Sequence, residues 1–286
     1  MHFRELIENG NFSAKQEIDC IKLLINEQDD FYNSIGKLID NNFIKFSKIG
    51  PFVSLNKLIR FLIEQSSNDD EALILICEML LYIISEYSNH SDRDSLVDSW
   101  VIEYEKKLHY LKKRIYEVVE RIHHKVIPKS NNDFIIVPQN KKSIQAAEIV
   151  ASTDKDIAIN ILEYKHFSTT VDDKEKILIS IAKYMEDKRV ELTESLKQDD
   201  LYIQRNNKIV LVDQMFEMFN NLHIRHRNDN KYIEESQREK WYDYTYNTVL
   251  TVIIIDEQAK INKEFKKLKE ENRKNKYLVF QKSPRI

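Results

Sequence analysis

The chain has 286 residues and a formal charge of −3, with 44 Lys and Arg, 47 Asp and Glu, 42% apolar residues, and only 3 Gly and 4 Pro. This length and apolar content support one large core or two modest ones and exclude a wholly disordered chain. So few Gly and Pro argue against a many-turned β-sandwich, a doubly wound sheet or a Gly-lined phosphate loop, which leaves an all-α fold built of helical bundles.

The longest strongly apolar stretch, ALILICEMLLYII (72–84), is thirteen residues with a Glu inside, against about 20 for a membrane span. It predicts a core helix and no membrane partner. The opening residues lack the zones of a secretion signal, and Cys20 and Cys77 form no metal or disulfide framework, so a cytoplasmic setting is expected. Both thiols sit among apolar residues at helical spacing, the surroundings of an inert buried cysteine. Charge is uneven, with ten basic and three acidic residues between 258 and 286.

In chain order, Ser13 and Gln16 start a first helix whose Ile18, Ile21, Leu24 and Ile25 share a face. Ser54 caps a second, with Leu55, Leu58, Ile59 and Leu62 repeating behind it. Asp69, Asp70 and Glu71 place negative charge at the start of the apolar helix through Ile84, where the macrodipole favours it. Next, Val97, Val101, Tyr104, Leu108, Leu111, Ile115, Val118 and Ile122 alternate steps of four and three. From Asp94 to Lys125 this helix would span ~48 Å, as the spine of a bundle or as a coiled-coil seam for a partner or a second copy.

PKSNNDFIIVP (128–138) holds two prolines, polar turn residues and one β-type run, Phe134 to Val137. The boundary falls here, giving an N-terminal helical domain over 1–130 and a C-terminal one over 131–286. The second part predicts a short helix at Ile144 to Val150, one started by Thr153 with Asp156, and a longer one capped by Thr170 with Asp173. A loop or small hairpin suits Asp199 to Val212, and a helix from about Asp213 buries Met215, Phe216, Phe219 and Leu222. Ser236 and Glu239 form a capping box for a final long helix, with Trp241, Tyr244, Thr248, Val252, Ile255 and Ala259 as its buried stripe.

The most unusual local sequence is NNLHIRHRNDN (220–230), where four of the five residues from His223 to Arg227 can be cationic. If the helix continues, His223 and Arg227 lie one turn apart on one face. One or two basic residues at a helix end complement its dipole, but two imidazoles and two guanidiniums exceed that need. The set suits attack of an RNA 2′-hydroxyl on its own phosphodiester. His223 or His226 would act as acid or base and Arg225 as the catalytic cation, with Arg227, Asn221 and Asn228 binding the phosphate. No metal or other cofactor is expected, since Arg225 and Arg227 would repel a cation from His223, His226 and Asp229. Tyr242 and Tyr246 are the candidates for stacking on RNA bases, because helical spacing places Trp241 and Tyr244 in the core. The segment RIHHK (121–125) ends the heptad helix and complements its dipole. The basic residues from Lys263 to Lys276 form either a solvated helix end or a track for a nucleic-acid backbone.

EIVASTDKDIAINILEYKHFST (148–169), KRVEL (188–192), FNNLHIRHRN (219–228) and WYDYTYNTVL (241–250) together resemble the all-helical domains of bacterial abortive-infection, phage-defence proteins associated with the HEPN superfamily. The likeness covers roughly 141–270. It implies a HEPN-like C-terminal bundle, a toxin-like metal-independent endoribonuclease, a homodimer with active sites meeting at its interface, and an activator or neutralising partner. In that family an Arg precedes a His by four to six intervening residues. Here Arg225 and His226 are adjacent, so they correspond by chemistry alone. The alternative is a non-catalytic helical protein that binds nucleic acid or a partner and dimerises through the 97–122 heptads.

Overall fold

The structure is a computed structural model that describes residues 13–28, 34–41, 52, 54–90, 99–130, 132–197, 204–205, 208–222, 224 and 234–281. It is an all-α protein of two compact units, 1–139 and 140–286. Among the described residues no helix is long and apolar enough to cross a membrane.

In the first unit, α1 (Ala14–Asn26) opens behind Ser13, whose hydroxyl accepts from the Gln16 N–H at 3.4 Å. It buries Ile18, Ile21 and Ile25 and leaves Cys20 exposed, so of the two thiols only Cys77 is in the core. A short helix that the sequence pattern does not announce, α2 (Ile35–Asn41), follows. Next come α3 (Leu55–Gln65), capped by Ser54, and α4 (Asp69–His90), which carries the apolar stretch and its three leading acids.

The heptad helix is α5 (Ser99–Arg121). Val97 lies outside the described residues, but Leu108, Leu111, Ile115 and Val118 are all buried, and α5 packs on α4 and α1 of its own unit. This stretch of the seam is therefore core. Glu17 of α1 ties the pair, accepting from Arg114 at 2.6 Å and Arg121 at 3.4 Å.

The segment after α5 corrects the sequence expectation. The helix stops at Arg121, the basic residue of its last turn, His123 takes a left-handed φ of 55°, and His124 and Lys125 enter a strand, from which His124 Nδ1 bonds the Ile122 carbonyl at 2.7 Å. That strand, β1 (His124–Pro128), pairs antiparallel with β2 (Phe134–Pro138), with Val126 opposite Ile136. The Ile136 N–H donates to Glu78 of α4 at 2.6 Å. Pairing and this bond hold β2 in the first unit, which moves the boundary from 130 to 139.

The second unit contains α6 (Lys141–Ala151), α7 (Lys155–Glu163), α8 (Val171–Asp187) and α9 (Arg189–Lys197). A two-residue hairpin, β3 (Gln204–Arg205) with β4 (Lys208–Ile209), leads to α10 (Val210–Asn221). Asp154, not Thr153, caps α7: its Oδ1 accepts from the N–H groups of Asp156 and Ile157 at 3.0 Å, while the Thr153 hydroxyl donates to the Val150 carbonyl at 3.1 Å. Thr170 caps α8 as expected.

A 3₁₀ turn (Glu235–Gln237) runs into α11 (Arg238–Gln281). No side-chain cap forms at that turn, and Glu239 instead accepts from Lys174 of α8 at 2.6 Å. The start of α11 packs on α6, α8, α9 and α10, making it the centre of the unit. Of the expected stripe Val252 and Ala259 are buried, but over the first turns the buried face is rotated. Tyr242, Thr245, Tyr246, Val249, Leu250, Val252 and Ile253 are buried, whereas Trp241 is 38% and Tyr244 50% exposed.

Candidate functional site

Helix α10 ends at Asn221, which is exposed, and Leu222 closes it by donating its N–H to the Met218 carbonyl at 2.9 Å. The continued helix that would set His223 and Arg227 one turn apart is therefore not formed at Leu222. Ile224, 1% exposed, is a buried apolar side chain. His223, Arg225, His226, Arg227 and Asn228 lie outside the described residues, as does Asp229.

The two tyrosines expected to stack on bases are buried. Tyr246 is fully enclosed, stacked on Tyr164 with ring centroids 3.9 Å apart and planes 9° apart. Its hydroxyl donates to the Ile161 carbonyl at 2.6 Å and lies 2.9 Å from Ser143 Oγ. Tyr242 is covered by Arg238, whose Nε bonds its hydroxyl at 3.4 Å. Satisfying each phenol inside the unit makes burial of a polar tip tolerable, and it removes both rings as platforms for RNA.

Around that stack stands a set of charges that pattern reading missed. Lys165 donates to Asp243 at 2.7 Å, and Lys174, with a side chain only 10% exposed, reaches Glu239 at 2.6 Å and Asp243 at 3.4 Å. Both ammonium groups also lie 5.4 Å from the Tyr164 ring centroid, where its π face attracts them. Burial pushes the Asp243 carboxyl up, but the Lys165 bond and the charges of both lysines outweigh it and hold the group below its ordinary value. Burial, then the Asp243 charge, raises the Tyr164 phenol far above its usual range. That phenol lies beside Asp243, and no hydrogen-bond partner meets it among the described residues. Arg238 bonds Asp172 at 3.0 Å, Glu175 at 2.5 Å, and Glu235.

Each of the three cations in the set faces at least one of its five carboxylates, so the cluster is an ion-paired brace between helices. It clamps the start of α11 to α8 and to the end of α7. The only hint of it in the sequence is the i, i+4 spacing of Glu239 and Asp243 beside the tyrosines.

The brace fixes the direction of a helix whose far half is open. The Lys260 ammonium bonds Glu191 of α9 at 3.1 Å and Asp256 at 2.8 Å, and from Lys263 to Arg273 every side chain is exposed. Lys263, Lys266, Lys267, Lys269 and Arg273 stand there. Among the described residues no three of His, Cys, Asp and Glu group as metal ligands would. Compared with protein-family models, curated proteins and solved structures, the chain matches nothing. Fold class and site geometry therefore define it as an all-α protein with a braced, basic, solvent-facing helix.

Proposed function

We propose that this protein acts on RNA as a metal-independent endoribonuclease of the abortive-infection, HEPN-like kind. His226 or His223 moves the proton, and Arg225 and Arg227 hold the phosphate. The observation that supports it best is charge segregation. The exposed end of α11 begins a stretch, 258–286, with ten basic and three acidic residues in a chain of net charge −3. Such a stripe attracts a phosphate backbone by releasing its counterions. With Tyr242 and Tyr246 buried, recognition of bases falls to other groups.

The test is incubation of the purified full chain with total RNA and tRNA in EDTA, beside Arg225→Ala/His226→Ala and Lys266→Glu/Lys267→Glu. Cutting by wild type, loss in the first variant with the fold intact, and weaker, less salt-dependent RNA binding in the second are expected. Folded wild type that neither binds nor cuts RNA sinks the proposal.

A further inference from the structure

Beyond Lys260, α11 carries an apolar stripe left uncovered by the described residues. Ile261, Phe265 and Leu268 are 49%, 56% and 56% exposed, and their steps of four and three place them on one face. The Lys269 ammonium lies 4.4 Å from the Phe265 ring centroid, against the middle of the stripe. Three large apolar side chains in register on an exposed helix mark an interaction surface.

The charges beside the stripe select its occupant. With Ile261 at d, Phe265 is a, Leu268 is d and Asn272 is a, and the register runs on to Asn275 at d and Val279 at a. Glu264 and Glu271 then occupy g, while Lys269 and Lys276 occupy e. In a parallel pair each g residue meets the e residue five positions later on the other helix, so Glu264 faces Lys269 and Glu271 faces Lys276. An antiparallel pair sets g against g and e against e, opposing like charges. In the parallel, in-register pair Asn272 at a meets Asn272 of the other copy, so that the two amides can bond each other.

From these positions we propose that residues 261–279 of α11 join the same segment of a second copy as a parallel two-stranded coiled coil. Lys263, Lys266, Lys267 and Arg273 fall at f, b, c and b, so the pair keeps its basic residues on the outer face. Two polar core positions in under three heptads make the dimer weak and concentration-dependent. The inference does not depend on the RNA reading, since the stripe and the charge register stand without it.

Solution mass of the full chain across a micromolar concentration series tests the pairing. Wild type is expected to approach twice the monomer mass. Phe265→Glu/Leu268→Glu should weaken the dimer by at least about tenfold, without change in helical circular dichroism, because both side chains are exposed. Glu264→Lys/Glu271→Lys and Lys269→Glu/Lys276→Glu should each stay monomeric alone and form a mixed dimer together. The proposal is overturned by a chain monomeric throughout, by a dimer that survives Phe265→Glu/Leu268→Glu, or by reversed-charge variants that fail to rescue each other. It is equally overturned if the wild type stays monomeric while Phe265→Glu/Leu268→Glu abolishes binding to RNA or to anionic lipid vesicles, which would assign the stripe to that surface.

Discussion

Tyr164 and Tyr246 are stacked in the same core and differ in one respect: the Tyr246 hydroxyl is bonded to Ile161 and Ser143, and the Tyr164 hydroxyl has no hydrogen-bond partner among the described residues. Tyr246→Phe should cost about 1–2 kcal/mol, the net worth of buried hydrogen bonds plus an orphaned carbonyl. Tyr164→Phe removes an unsatisfied group and should be neutral or stabilising by up to about 1 kcal/mol. Denaturant midpoints for the two variants would decide it. A larger loss at Tyr164 would show that its hydroxyl is bonded in solution.

The Asp243 carboxylate carries a pH dependence of definite sign. Its folded value is depressed below the ordinary one near 3.9, so its contribution is complete above about pH 4 and is lost as the pH falls through the folded value. Unfolding of wild type should ease on acidification below about pH 4. Asp243→Asn should be weaker at neutral pH and respond less to acid. Parallel pH profiles for the two proteins would refute this assignment.

In the heptad helix, Leu111 and Ile115 are fully buried within their own unit. Leu111→Ala or Ile115→Ala should cost about 2–5 kcal/mol of stability through the cavity each leaves. Neither should lower the solution mass of the folded protein. A change in mass with stability preserved would return these residues to an intermolecular seam.

The two thiols should react as separate classes. Cys20 is exposed on α1, whereas Cys77 is buried and its thiol is pushed far up by burial and then by the charges of Glu78 and Glu17. A thiol reagent at neutral pH should modify one cysteine quickly in the native chain and the second only on unfolding. Loss of the fast phase in Cys20→Ser would assign it.

Several elements were readable without any tertiary information because their causes are local. Ser13, Ser54 and Thr170 cap their helices through their own hydroxyls, and the steps of four and three from Leu108 to Val118 place an apolar face on any helix that forms there. Composition settled the fold class for the same reason, since too few turn-formers are present to build a large sheet.

What only the tertiary structure decided is which face turns inward and which charges meet. Either Trp241 with Tyr244 or Tyr242 with Tyr246 makes an apolar stripe on α11, and the choice fell to where Ser143, the Ile161 carbonyl and Arg238 stand to satisfy two phenols. Lys165 and Lys174 find Asp243 across 78 and 69 residues of chain. No local pattern encodes such partners, because the energy that selects them exists only once helices distant in sequence are packed together.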